Sequence, residues 1–97
     1  RQGDTSYLDV AYRAMDVNRL QCFLAVADAG SFSRAAAALH LSQSSLSRQV
    51  QMLEVDVGHR LLERTGRGVV LTEAGAAMVA HARGILDLME RASADMR

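Results

Sequence analysis

Three residues suited to capping a helix, Asp16, Ser31 and Ser42, each stand at the head of a stretch whose apolar residues recur at helical spacing. A side-chain oxygen at such a position accepts a hydrogen bond from a backbone N–H of the first turn. Asp16 opens a helix with the stripe Leu20, Phe23, Leu24 and Ala27, and Gly30 supplies the left-handed cap that ends it. Ser31 opens a short, Ala-rich helix carrying Phe32, Ala35, Ala36 and Leu39. After the connector His40-Leu41, Ser42 opens a third helix whose apolar face is Leu46, Val50, Leu53 and Val57, stopped by Gly58. Helices this short, joined by so few residues, can bury their stripes only against one another.

Beyond Gly58 the period changes from 3.6 to 2. Leu61-Leu62-Glu63-Arg64 and Val69-Val70-Leu71 are strand candidates around Thr65-Gly66-Arg67-Gly68, a four-residue loop that predicts a β-hairpin. Thr72 then caps a long helix, with Glu73 at its positive end. Its apolar residues Met78, Ala82, Ile85, Met89, Ala92 and Met96 step 4, 3, 4, 3, 4, a seam of roughly 37 Å at 1.5 Å per residue. Its opening residues Ala74, Ala77 and Met78 are expected to pack within the domain. Ile85, Met89, Ala92 and Met96 are expected to lie beyond so small a core and to meet a partner helix, antiparallel, in a homodimer.

With 97 residues, the chain has room for one small domain. All eleven cations are Arg, balanced by eleven acids, so there is no globally basic arm. Arg is the forked donor suited to phosphates and base edges. A single cysteine, Cys22, excludes an internal disulfide framework and reads as a small core residue. No apolar run reaches the ~20 residues of a membrane helix, and the composition suits a cytoplasmic protein with no membrane partner. His40, His59 and His81 have no metal-ligand spacing. No catalytic residues, metal or cofactor are expected, because the chain has no paired base and nucleophile and no cofactor loop. The first Met is Met15, so residues 1–15 read as a leader, an expression remnant or an upstream extension. Within it Leu8, Tyr12 and Met15 fit one helical face behind Ser6.

The segment from Ser31 to Gly58 has the form of a helix-turn-helix. The outward positions that open its second helix are Gln43, Ser44, Ser47, Arg48 and Gln51, all able to hydrogen-bond and none acidic. Arg can take guanine O6 and N7 together, and Gln can do the same with adenine N6 and N7. Between Ser31 and Leu53 the only formal charges are Arg34 and Arg48. Between Gly58 and Thr72, Arg60, Arg64 and Arg67 face a single acid, Glu63. A neutral chain can therefore carry one basic face, which is all that phosphate contacts require. Ser31, Ser33 and Ser42 lie at helix N-termini, where backbone N–H groups favour phosphate. From the residues alone two uses stay open. One is reading of double-stranded DNA; the other is protein–protein association, with the long seam as its surface and the polar face of the third helix idle.

The run Leu20-Gln21-Cys22-Phe23-Leu24-Ala25-Val26-Ala27 is followed by Gly30-Ser31-Phe32-Ser33-Arg34-Ala35-Ala36. Then come Leu41-Ser42-Gln43-Ser44-Ser45-Leu46-Ser47-Arg48-Gln49-Val50, Leu53-Glu54, Gly58-His59-Arg60-Leu61-Leu62-Glu63-Arg64-Thr65 and Leu71-Thr72-Glu73-Ala74-Gly75. In these motifs, in order and without gaps, Asp16 to Arg97 resembles the N-terminal DNA-binding domain of LysR-type transcriptional regulators. The resemblance implies a mainly α fold: a winged helix-turn-helix over 16–72, followed over 73–97 by a linker helix through which two copies pair. It implies that the helix over about 42–57 enters the major groove and that the wing over about 61–72 reaches the minor groove. Gln43, Ser47 and Arg48, with Ser44 among them, would read bases. Ser31, Ser33, Arg34, Ser42 and Arg64 would hold the backbone, and Arg67 would be the wing tip. The target would be an interrupted palindrome. Full-length members add a C-terminal domain that binds a small inducer and completes a tetramer, so this chain is expected to be a DNA-binding fragment without an inducer site. Two positions depart from the family pattern: Ser44 stands where a Pro is usual, and Val70 where a basic residue is common.

Overall fold

A computed structural model describes residues 16–97; the expectations for the leader lie outside them. The elements are α1 (Val17–Ala29), α2 (Phe32–Leu39), α3 (Gln43–Val57), β1 (Leu62–Thr65), β2 (Gly68–Leu71) and α4 (Glu73–Asp95). Each helix begins at an expected cap. Asp16, Ser31, Ser42 and Thr72 accept from the backbone N–H three residues on, at Arg19, Arg34, Ser45 and Gly75. Gly30 and Gly58 close α1 and α3 at φ +66° and +76°. His40 closes α2 in the same left-handed region, at φ 58°, an unusual place for a residue with a Cβ.

Helix α1 is the central element, packed by α2, α3, α4 and β2. That surround explains why its buried set is wider than one stripe. Leu20, Phe23 and Leu24 are buried as expected, Cys22 and Val26 join them, and Ala27 is only half-buried. Phe23, Leu20, Leu46, Leu53, Leu61 and Val26 form the fully buried centre. Leu39, expected on the buried face of α2, is instead 37% exposed. It is the last helical residue before the His40 turn, and it lies on a surface groove with Leu41 and Cys22.

The hairpin pairs Leu62 with Leu71, Glu63 with Val70, Arg64 with Val69 and Thr65 with Gly68, antiparallel. Thr65 and Gly68 belong to the strands, so the loop is the two residues Gly66-Arg67 rather than four. Gly68 makes this possible with φ +140°, and a Cβ there would stand 2.5 Å from the Gly30 carbonyl oxygen. The neighbouring Val69 N–H donates to that same oxygen at 3.1 Å, tying the wing to the end of α1.

Helix α4 buries Gly75 and Ala82 and packs Ala74, Met78, Val79, Ile85 and Leu86 against the core. Two expectations are corrected here. Ala77 is exposed, because it falls outside the strip marked by Gly75, Met78, Val79, Ala82 and Ile85. Ile85, expected beyond the core, is half-buried against it, because the helix runs along α1 and stays in contact as far as Leu86. Beyond that point no other described residue covers the helix: Met89 is 49% and Met96 83% exposed, and Ala92 is exposed as well. Arg83 holds α4 to α1 through Asp28, at 2.7 Å. No helix among the described residues is long and apolar enough to cross a membrane.

Candidate nucleic-acid interface

Burial of Leu46, Val50 and Leu53 turns the opposite side of α3 outward. Gln43, Ser44, Arg48 and Gln51 are exposed on it. Ser47 is half-buried. It lines a cleft of about 80 Å³ between α3 and the wing, with Phe32, Gln51, Glu54, Arg60, Leu62 and Arg64 among its neighbours. The Ser42 hydroxyl accepts from Ser45 N–H at 3.1 Å and lies 3.3 Å from the Ser44 hydroxyl. At the head of α2, Ser31 Oγ accepts from Arg34 N–H at 3.2 Å and lies 3.1 Å from Ser33 Oγ. Both hydroxyl pairs therefore stand at exposed helix N-termini, each able to donate outward.

Apart from Arg97 at the end of the chain, the described arginines divide into two groups. Arg19 pairs with Asp56, Arg60 with Glu54 at 3.7 Å, Arg83 with Asp28 and Arg91 with Asp87 at 3.5 Å. Arg34, Arg48, Arg64 and Arg67, the four singled out from the sequence, have no carboxylate within 4.0 Å among the described residues. Their guanidinium donors are thus not engaged by acids. Arg67 is exposed in the two-residue loop, its N–H held by Thr65 Oγ1 at 3.2 Å. Strand alternation separates Arg64 from Glu63. Arg64 lies over the ring of Phe32, 4.1 Å from its centroid, a cation–π contact that steadies a long side chain without consuming its N–H donors.

Two parts of this arrangement are invisible in the sequence pattern. Phe32 reads there as a core residue only, yet one ring face supports Arg64. Glu54 had no assigned role, yet its Oε2 accepts from Leu61 N–H at 2.8 Å and Leu62 N–H at 3.2 Å. A polar residue beside the buried Leu53 is the one local hint that Glu54 has an internal partner. Cys22 is remote in character from this face: burial, and secondarily the Asp16 carboxylate, pushes its thiol pKa up. Among the described residues no three His, Cys, Asp or Glu side chains gather as a metal site.

Residues 17–76 match the family described as bacterial regulatory helix-turn-helix protein, lysR family. The chain belongs to the LysR family. Among its LysR-family relatives, the HTH-type transcriptional regulator TfdT of Cupriavidus pinatubonensis is 49% identical over 79 residues, covering 81% of this chain and 35% of TfdT. The regulator TcbR of Pseudomonas sp. strain P51 is 49% identical over 77 residues, covering 79% of this chain and 26% of TcbR. The chain thus spans about a quarter to a third of these relatives' lengths. Its fold is that of the CbnR DBD–DNA complex, with TM-score 0.80 and 46% identity over 84% of this chain and 94% of that one. The BenM DBD in complex with catB site 1 DNA matches with TM-score 0.81 and 34% identity, over 84% and 91% of the two chains. The winged helix-turn-helix is therefore the architecture of this chain, and its relatives are regulators rather than enzymes.

Proposed function

We propose that this chain is the DNA-binding part of a LysR-type transcription regulator and recognises duplex DNA sequence-specifically, without chemistry. Helix α3 lies in the major groove, where Gln43, Ser44, Ser47 and Arg48 meet base edges. Ser31, Ser33, Arg34, Ser42 and Arg64 hold phosphates on either side, and Arg67 reaches the adjacent minor groove. The supporting observation is the division of the arginines: apart from Arg97 at the end of the chain, the described arginines without carboxylate partners are those on α2, α3 and the hairpin. Residues 16–72 carry the DNA contacts, and 73–97 join two copies through Met89, Ala92 and Met96, with Ile85 at the margin of the core. Two recognition helices held at a fixed separation select an interrupted palindrome. Tetramer formation and response to a small inducer belong to the larger remainder of a full-length regulator, working in the cytoplasm.

Selection of bound duplexes from a random library tests this directly. Enrichment of a two-fold-related site is the expected result, and a library that stays random refutes it. On the selected site, Arg48→Ala should cost about 1–3 kcal/mol and flatten the base preference at one position of each half-site. Unchanged discrimination would remove Arg48 from the reading set.

A further inference from the structure

Glu54 lies in the last turns of α3, with its side chain only 13% exposed. The polar contacts of its side chain converge on one oxygen. Oε2 accepts from the consecutive N–H groups of Leu61 and Leu62, and Arg60 Nε stands 3.7 Å from it. Leu62 is the first residue of β1. The same short stretch is held from its other side by the cap of α4. Thr72 Oγ1 donates to the Arg60 carbonyl at 2.6 Å, and Thr72 N–H donates to the Leu61 carbonyl at 3.0 Å. Leu61 and Leu62 are buried, so the hydrophobic effect already holds this stretch in the core. That force has no direction. Hydrogen bonds from two adjacent N–H groups to one carboxylate oxygen do have direction, and ionised acceptors make the stronger bonds.

We infer that Glu54 is a positioning residue that fixes the direction in which the wing leaves α3, so that the Arg67 loop and the base-reading face move as one body. The inference rests on the DNA-binding reading above for its consequence, but not for its geometry. Without Glu54 the hairpin keeps its own ladder, its buried leucines, the Val69 bond to Gly30 and the Thr72 bonds, but loses its direct hydrogen bonds to α3, so its angle to that helix is less narrowly fixed. A wing with wider angular play spreads the Arg67 guanidinium over more placements, and its contact with the duplex weakens.

Amide residual dipolar couplings measure the angle without DNA. In the unaltered chain one alignment should describe both α3 and residues 62–71. In E54A the α3 couplings should persist while those of the hairpin shrink. In E54Q, whose amide oxygen can still accept from both N–H groups, they should recover. Unchanged hairpin couplings in E54A, or an E54Q chain as disordered as E54A, overturn the inference. If E54A fails to fold, E54M, similar in size but without the acceptor, takes its place: hairpin couplings that shrink relative to α3 support the inference, and couplings that still share the α3 alignment overturn it.

A binding arm reads the consequence. R67A should lower the slope of log K against log salt by about one unit in the unaltered chain, and by less in the E54A background. R48A should weaken binding in both backgrounds. A full R67A effect that persists in E54A overturns the transmission to DNA. A chain that binds no duplex in any form refutes the DNA-binding reading, while the couplings still decide Glu54.

Discussion

Gly75 stands where the first turn of α4 meets the stretch before β1. A Cβ there would lie 2.0 Å from the Leu61 carbonyl oxygen, which already accepts from Thr72 N–H. Backbone cannot retreat as a flexible side chain can, so Gly75→Ala should lower stability by about 1–3 kcal/mol. Chemical denaturation reads this, and an unchanged midpoint would mean that α4 shifts freely on Leu61. Cys22 makes a second expectation at this scale. Its thiol pKa is raised by burial and then by Asp16, so the folded state holds its proton more tightly than the unfolded chain does. Its contribution to stability is constant below the ordinary thiol pKa and falls as pH rises through the window up to the folded value. Thiol reagents at mildly alkaline pH should therefore label Cys22 slowly until the protein is unfolded; rapid labelling of the folded protein would contradict its burial.

Among the elements, the contact between α2 and β1 matters most for the interface. Phe32 is buried in the core, and one face of its ring carries Arg64. Phe32→Leu keeps an apolar side chain of similar size, so it should cost less than about 1.5 kcal/mol of stability. It removes the ring face, and Arg64 then has no platform. Duplex binding at low salt should weaken by more than the stability loss implies; binding equal to that of the unaltered chain would show the stacking to be incidental. The exposed ion pairs contribute less to holding elements together. The Arg83–Asp28 pair is more than half exposed on both sides, where such a pair gains at most about 1 kcal/mol.

For the whole molecule, α4 has two halves with different roles. To Leu86 it is a wall of the core, and beyond Leu86 it is bare, with Leu88, Met89 and Met96 exposed. Substitutions in the two halves should therefore separate folding from assembly. Met89→Glu should leave the helical signal and melting of the monomer intact while abolishing a dimer in sedimentation. Ile85→Ala should act first on stability, at the low end of about 2–5 kcal/mol, because its side chain is only half-buried. If Met89→Glu sediments like the unaltered chain, the bare half of α4 is not the dimer contact.

The punctuation of the chain was legible because it is local. Asp16, Ser31, Ser42 and Thr72 bond to N–H groups three residues away, and Gly30 and Gly58 turn the chain through their own backbone angles. The buried faces of α3 and the existence of the hairpin follow from spacing alone in the same way. The hairpin loop came out shorter than its Gly-rich sequence suggested, because Gly68 pairs with Thr65 once the Gly30 carbonyl is beside it. A heptad in α4 marks an apolar seam but does not say whose surface covers it, so Ile85 passed from the partner to the core. Which arginines stay unpaired, which ring supports Arg64, and what Glu54 holds depend on residues brought together by the crossing of helices and the path of the hairpin. Spacing along a chain carries no record of such meetings; packing α1 among α2, α3, α4 and β2 created them.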